Sequence, residues 1–269
     1  MPSFTAKDVQ RLRQASGAGM MDAKNALTET DGVFDDALRL LQEKGLASTA
    51  KRADRENNQG AVALGSAEGG RAAALVELKS ETDFVAKSPD FTKLAQELAD
   101  AVAAEGEAAV DRFRPQLDEL RVTLKENIDL GRVVRFQAGE GSLLDTYLHI
   151  QADRGVNGVL VELADGNQEL AHDMAVHIAF ARPSRLTRDE FDPAEVDEQR
   201  SLLETQTRNE GKPEQAWPKI VEGKLNGWYK RVPGGALVEQ PFAKDEKQSV
   251  QQVLGGARVA RFAQVEIGG

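Results

Sequence analysis

Apolar side chains in the first fifty residues recur every three or four positions, which is the spacing of an amphipathic helix. Each of three runs places its apolar residues on one face: Val9 and Leu12, then Met20, Ala23 and Leu27, then Ala37, Leu38 and Leu41. Gly17-Ala18-Gly19 and Gly32 separate the runs, and Gly45 stands where the third helix would end. The pattern predicts a three-helix bundle over residues 1–55, with a third helix over 33–44 and a charged linker from Lys51 to Gly60.

Residues 61–182 alternate short strand-like runs with longer helical periods. The runs 61–67 and 72–78 flank Glu68-Gly69-Gly70, which is typical of a hairpin turn. Beyond this hairpin the pattern predicts helices near 89–104 and 115–130, strands near 133–138, 143–151 and 156–163, and a helix near 168–180.

A short apolar segment occurs twice in this region. Leu75-Val76-Glu77-Leu78 and Leu160-Val161-Glu162-Leu163 each precede a turn and then a helix. The repeat predicts a core of two related α+β subdomains, over residues 56–140 and 141–269. The second copy carries the ordinary turn Ala164-Asp165-Gly166-Asn167, whereas the first carries Thr82-Asp83-Phe84-Val85. This difference makes the first turn the candidate for a function of its own.

Prolines are concentrated between Pro183 and Pro241, whereas none lies between Pro2 and Pro89. In the proline-rich part, two polar helical patterns flank Gly211-Lys212-Pro213 and predict an antiparallel helical hairpin over residues 190–231. A C-terminal module over 245–269 follows, with a short helix over 247–254 and a strand over 258–267. The predicted fold class is α+β.

The stretch SETDFVAKSPDF, residues 80–91, places an acid beside a large aromatic residue between a strand and a helix start. Ser88-Pro89 is typical of an N-cap followed by proline at the first helical position. Asp83 and Phe84 therefore fall in a short connection, where binding residues are common. Two interpretations remain open from the sequence. Either Phe84 is exposed to meet a partner, or Asp83 caps a helical turn and Phe84 folds into the core.

The composition excludes several function classes. The chain contains no cysteine, so disulfides, thiol catalysis and cysteine metal sites are ruled out. No apolar run approaches the roughly 20 residues that span a bilayer, and the N-terminus lacks a signal-peptide core. We expect a cytoplasmic protein that does not bind a membrane.

The formal net charge of −10 argues against direct binding of nucleic acid, which requires clustered positive charge. Aromatic residues make up only 5% of the chain, too few for a row of base-stacking platforms. A basic cluster at Lys51-Arg52-Ala53-Asp54-Arg55 is interpreted as a solvated linker.

No catalytic or cofactor-binding motif is recognisable. Gly17-Ala18-Gly19 follows a helix and not a strand, so it lacks the context of a phosphate-binding loop. His172 and His177 are about 140° apart around a helix, which does not make one metal-binding face. We expect no cofactor and no metal ion.

Two segments carry a family resemblance. Residues 11–27, which contain Ser16-Gly17-Ala18-Gly19-Met20-Met21-Asp22-Ala23, resemble the N-terminal signature of the bacterial elongation factor Ts family. Thr82-Asp83-Phe84-Val85-Ala86-Lys87 resembles the family's central motif. The spacing of the motifs, the hairpin and the C-terminal module also match, so the resemblance covers essentially the whole chain. Ser16 and Ala23 depart from the threonine and cysteine frequent in the family.

The resemblance implies a guanine-nucleotide exchange factor, not an enzyme, whose partner is the GTPase elongation factor Tu. It also implies a ubiquitin-associated-like (UBA-like) N-terminal bundle and a helical hairpin inserted into the two-part core. Oligomeric state stays open, with a homodimer and a dimer of heterodimers as the alternatives.

The site residues follow from the same resemblance. Asp83 and Phe84 would enter the partner's GTPase domain near its bound magnesium ion, and Thr82 and Val85 would shape the loop. An N-terminal patch would also contact the GTPase domain, and it consists of Leu12, Met20 and Met21.

Two other functions make different predictions. In a ubiquitin-like or peptide-binding adaptor, residues 1–55 alone would bind the target, and Phe84 would be irrelevant. A carboxylate-dependent enzyme would turn over a small substrate without a protein partner, but the sequence offers it no coherent residue set.

Overall fold

The N-terminal bundle forms as the apolar spacing predicts. The computed structural model describes residues 4–50 and 52–268, so Lys51 of the predicted linker lies outside the described residues, as do residues 1–3 and 269. The bundle contains three helices: α1 (Ala6–Ser16), α2 (Met20–Glu29) and α3 (Phe34–Ala50). At the start of α1, the side chain of Asp8 accepts a hydrogen bond from the backbone N–H of Thr5 at 2.7 Å. This capping box satisfies N–H groups that have no partner inside the helix.

The first half of the core is one three-stranded antiparallel sheet with helices between its second and third strands. Its strand order is β1 (Gln59–Ala67), β2 (Ala72–Ser80) and β3 (Asp129–Gln137). Three helices connect β2 to β3: α4 (Asp83–Ala86), α5 (Pro89–Glu105) and α6 (Arg114–Leu124).

The second half repeats this arrangement with insertions. Its first two strands are β4 (Ser142–Gln151) and β5 (Arg154–Ala164), and α7 (Gln168–Ala181) follows them. The inserted elements are α8 (Pro193–Asn209), α9 (Trp217–Tyr229), β6 (Pro241–Phe242), β7 (Asp245–Ser249) and α10 (Val250–Leu254). The last strand, β8 (Arg258–Glu266), completes a sheet of order β4-β5-β8. The two Leu-Val-Glu-Leu segments therefore occupy the central strands β2 and β5, which confirms the predicted repeat.

The two sheets pack face to face, and each is covered on its outer face by a helix. Val62, Leu75 and Leu160 belong to the apolar cluster between the sheets. The outer face of the first sheet packs against α5, and that of the second sheet packs against α7. Because successive side chains of a strand point to opposite faces, burial of both faces explains why the central strands are almost continuously apolar.

The helical hairpin has its own small core. Leu203 of α8 and Val221 and Leu225 of α9 are buried between the two helices. At its base, the ring of Phe191 lies 4.8 Å from that of Trp228, measured between centroids. No helix in the described ranges has both the length and the apolarity needed to cross a bilayer.

The third helix of the bundle is longer than predicted, because Gly45 does not end it. A Cβ atom on Gly45 would lie 2.7 Å from Cγ1 of Val122 in α6. Glycine therefore lets α3 lie directly against α6, and this packing offsets the roughly 1 kcal/mol by which glycine is worse than alanine in a helix. Gly17 plays a similar part, since its Cβ would lie 3.3 Å from Oγ1 of Thr123.

Two other helix boundaries also differ from the prediction. Helix α6 ends at Leu124 and not near residue 130, because Lys125 adopts a left-handed conformation with φ 59°. Ile128 continues the helical period but is buried just before β3. In the C-terminal module, residues 247–249 belong to β7, and α10 begins only after the Ser249 capping box.

We predict that Gly155→Ala lowers the free energy of unfolding by about 1–3 kcal/mol, the usual cost of overpacking a core. The added Cβ would lie 2.2 Å from the backbone oxygen of Val62 in β1, so the two sheets would have to move apart. Urea denaturation measures the change.

The matched control is Gly223→Ala, in the middle of α9. Its Cβ would meet nothing within 4 Å, so this variant should gain about 0.5–1 kcal/mol from the better helix propensity of alanine. Equal effects at the two glycines would contradict the close packing of the sheets.

Candidate functional site

The loop that follows β2 forms a single turn of helix, α4, before the chain enters α5. Thr82 is the N-cap of this turn, and its Oγ1 accepts a hydrogen bond from the backbone N–H of Val85 at 3.3 Å. Asp83 is the first helical residue and not the cap. The capping role that the sequence left open for Asp83 therefore belongs to Thr82.

The turn buries one side and exposes the other. Ala86 is fully buried, and half-buried Val85 packs against the core beneath α5. Phe84 points outward with 82% of its surface exposed. The alternative in which Phe84 folds into the core is therefore wrong, and the loop presents a large apolar side chain to the solvent.

Asp83 carries a negative charge beside this aromatic ring. The ammonium group of Lys87, one helical turn further on, donates a hydrogen bond of 2.5 Å to Oδ2 of Asp83. This bond holds the pKa of Asp83 below its ordinary value, and the charge of Arg154 acts in the same direction. The carboxylate is thus ionised at neutral pH.

The loop is held by Glu126, a residue that no sequence pattern singles out. The carboxylate of Glu126 accepts hydrogen bonds from the backbone N–H groups of Glu81 and Thr82, at 3.0 and 3.1 Å, and from Oγ1 of Thr82 at 2.5 Å. Apolar periodicity predicts that Glu126 lies inside a helix, since Leu124 and Ile128 are four residues apart. Nothing in the local pattern indicated a contact with a loop 44 residues earlier.

Met20 and Met21, the first two residues of α2, are both exposed. Met20 is 52% exposed and Met21 is 62% exposed, so the prediction that Met20 shares the buried face of α2 is wrong. Met20 is the first residue of the helix, and Ala23, Ala26 and Leu27 form the buried face instead.

Leu12 differs from the two methionines. It is fully buried in the core of the bundle, packed with Ala23 and Leu27. The predicted contact between Leu12 and a partner does not fit this burial, because Leu12 has no exposed surface. Its side chain supports the methionine-bearing helix from within.

Metal-binding geometry is not found among the residues that the structure describes, where no group of three or more His, Asp or Glu side chains is arranged to hold an ion. His177 is buried, and the backbone N–H of Ala243 donates to its Nδ1 at 3.2 Å. The Nε2 of His177 therefore carries the proton and donates to Oε1 of Gln240 at 3.2 Å. His172 lies at the surface beside Asp145.

Comparison with known proteins shows the family to which the chain belongs. The sequence profile of the family "Elongation factor TS" matches residues 81–269, a stretch that begins at the loop held by Glu126. The chain belongs to the elongation factor Ts family. This membership makes the chain a translation elongation factor by family, and it fits the α+β fold with its N-terminal three-helix bundle.

Similar full-length proteins extend the relationship beyond the profile to the N-terminal bundle. Elongation factor Ts of Acidothermus cellulolyticus is 44% identical, over 100% of this chain and 99% of that protein. The protein of the same name from Clavibacter michiganensis is 42% identical over the full length of both chains. That of Mycobacterium avium is 41% identical, over 100% of this chain and 99% of its own.

We predict that Phe84→Ala changes the free energy of unfolding by less than about 0.5 kcal/mol, as is usual for surface substitutions. The side chain makes few contacts that the mutation could remove. Phe91, the first buried aromatic residue of α5, has no exposed surface, so Phe91→Ala should cost about 3–5 kcal/mol. Urea denaturation of both variants measures the difference. A large loss in the free energy of unfolding for Phe84→Ala would show that its side chain is buried in the core.

Proposed function

We propose that this protein binds the GDP form of elongation factor Tu and accelerates the release of GDP, so that GTP can replace it. The observation that carries the proposal is an 82% exposed Phe84 beside an ionised Asp83, on a turn of helix whose N-terminal side is held by Glu126. An exposed aromatic side chain on a fixed loop is a common anchor in protein–protein contacts.

The physics of nucleotide binding explains how such a loop would act. A GTPase holds its diphosphate through backbone and lysine contacts and through a magnesium ion that bridges protein and phosphate oxygens. Phe84 would separate the partner's side chains that support this ion. Asp83 would bring a negative charge, or a competing acceptor, close to the metal. Loss of the ion would leave the phosphate charges uncompensated, and GDP would dissociate faster.

The exposed methionines supply a second contact in this proposal. Met20 and Met21 would lie against the partner's GTPase domain, where flexible thioether side chains adapt well to an irregular surface. Leu12 would contribute by holding α2 in place. Two contacts on one chain bind more tightly than either alone, because the second forms at a high effective concentration.

In this proposal, different parts of the fold make different contacts with the partner. Residues 1–55 and the loop after β2, in the 56–140 subdomain, would contact the GTPase domain. The 141–269 subdomain and its module over 245–269 would add further contacts with the partner, and the hairpin over 190–231 is assigned no contact in this proposal. The factor would need no nucleotide or metal of its own. Linkage then requires that GDP weakens binding of the factor as much as the factor weakens binding of GDP.

We predict that the wild-type protein accelerates release of a fluorescent GDP analogue from magnesium-loaded elongation factor Tu. Phe84→Ala should slow this accelerated release at least about tenfold, the equivalent of ~1.4 kcal/mol. Stopped-flow fluorescence at saturating factor measures both rates. Leu202→Ala is the matched control, since Leu202 is an exposed apolar residue on the hairpin and its removal should leave the rate unchanged.

The same assay tests the route through magnesium. When the partner is stripped of the ion with a chelator, wild type and Phe84→Ala should differ much less, because the step that Phe84 assists has been bypassed. A full Phe84 effect without magnesium would exclude this route. No acceleration by wild type would contradict the proposed function and favour an adaptor role for residues 1–55.

A further inference from the structure

We infer that Glu126 is a positioning residue for exchange, which fixes the loop so that Phe84 meets the partner in one orientation. The inference rests on the proposed function. It starts from the three hydrogen bonds that converge on this one half-buried carboxylate from the loop ahead of α4.

The three donors match the chemistry of an ionised carboxylate. Oε2 of Glu126 accepts from two successive backbone N–H groups, of Glu81 and Thr82, and Oε1 accepts from the Thr82 hydroxyl. A carboxylate only accepts hydrogen bonds, so it meets all three donors at once, whereas a glutamine amide would keep both backbone N–H bonds only with its NH2 group facing the Thr82 hydroxyl. Gln has almost the same shape, but it would leave the Thr82 hydroxyl proton without this acceptor and replace charge-assisted hydrogen bonds by weaker neutral ones.

Glu126 also sets the direction of the helix cap. Because the hydroxyl proton of Thr82 goes to Glu126, the lone pairs of Oγ1 are left to accept the N–H of Val85. Helix α4 has only four residues, Asp83–Ala86. One turn of helix is not stable by itself in water, and the exposed ring of Phe84 contributes little burial to hold it. The carboxylate therefore stabilises the turn that aims Phe84.

A second set of hydrogen bonds runs in the opposite direction, from the segment that contains Glu126 to the loop. The backbone N–H of Asn127 donates to Oε1 of Glu81 at 2.6 Å, so each segment binds the other through a glutamate. The buried amide of Asn127 then donates to the backbone oxygens of Ala53 and Arg55, at 3.0 and 2.7 Å. The loop is thus tied to the chain segment that leaves the N-terminal bundle.

The internal repeat shows that the fold does not require this carboxylate. In the second half, the turn before α7 is capped by its own residue, since Oδ1 of Asn167 accepts the N–H of Leu170 at 2.9 Å. The segment before β8 is Gly255-Gly256-Ala257 and offers no acid. Glu126 occurs in the half that carries the exposed Phe84, which is what a role in positioning predicts.

The test is a double-mutant cycle of Glu126→Gln and Phe84→Ala, measured as release of fluorescent GDP from magnesium-loaded elongation factor Tu. Glu126→Gln alone should lower the release rate at saturating factor roughly tenfold, since misplacing a working group by about 1 Å is costly. In the Phe84→Ala background it should lower the rate no further, because the two residues act as one unit. Glu140→Gln, the same change at an exposed glutamate in the turn between β3 and β4, is the matched control.

Hydrogen exchange separates positioning from general destabilisation. In Glu126→Gln, the amides of Glu81 and Thr82 should exchange at least tenfold faster, while those of the central strand β2 should keep their protection. Equal loss of rate in both backgrounds, or protection lost throughout β2, would show that Glu126 only stabilises the fold and would overturn the inference. Normal release by Glu126→Gln would overturn it as well.

The same measurements distinguish failure of the inference from failure of the proposed function. If wild type does not accelerate release at all, the exchange function is wrong, and the positioning role falls with it. If wild type accelerates release and the cycle is additive, the function stands and only the role of Glu126 is rejected.

Discussion

The close contact between the two sheets is the constraint on which the other features depend. Strand β5 lies so near β1 that a Cβ on Gly155 would come within 2.2 Å of the Val62 oxygen. With helices on both outer faces, the central strands are buried on both sides and have no surface to offer a partner. Binding residues are therefore left to the connections at the strand ends and to the bundle outside the sheets.

The connections after β2 and after β5 occupy equivalent places in the two halves but are stabilised differently. This difference distinguishes what the fold needs from what the proposed function needs. After β5, Asn167 caps the next helix with its own side chain. After β2, the chain inserts α4, whose own cap Thr82 is in turn held by Glu126, 44 residues away. A long-range carboxylate is not needed to start a helix. It is useful when the turn carries an exposed group whose direction must be fixed.

Much of the framework could be predicted from apolar periodicity, because that pattern records burial. The β1–β2 hairpin, α5, α7 and the repeated central strands follow from it. The errors arise where tertiary contacts override local preference. Gly45 stays helical because α3 packs on Val122, and Ile128 continues the period of α6 although the chain has already turned toward β3. The exposed Phe84 was foreseen as one of two interpretations. Glu126 was not, because its partners lie far away in sequence.

In the proposed exchange function, the exposed state of the loop would let it act with little cost to the free protein. Burying a phenylalanine side chain is worth about 1.5–3 kcal/mol, and this free energy would be gained only when a partner covers the ring of Phe84. The ion pair between Asp83 and Lys87 is partly exposed, and surface pairs of this kind contribute at most about 1 kcal/mol. In the proposed complex, Asp83 would therefore exchange Lys87 for a group on the partner at small cost, while Glu126 would keep the backbone of the turn unchanged.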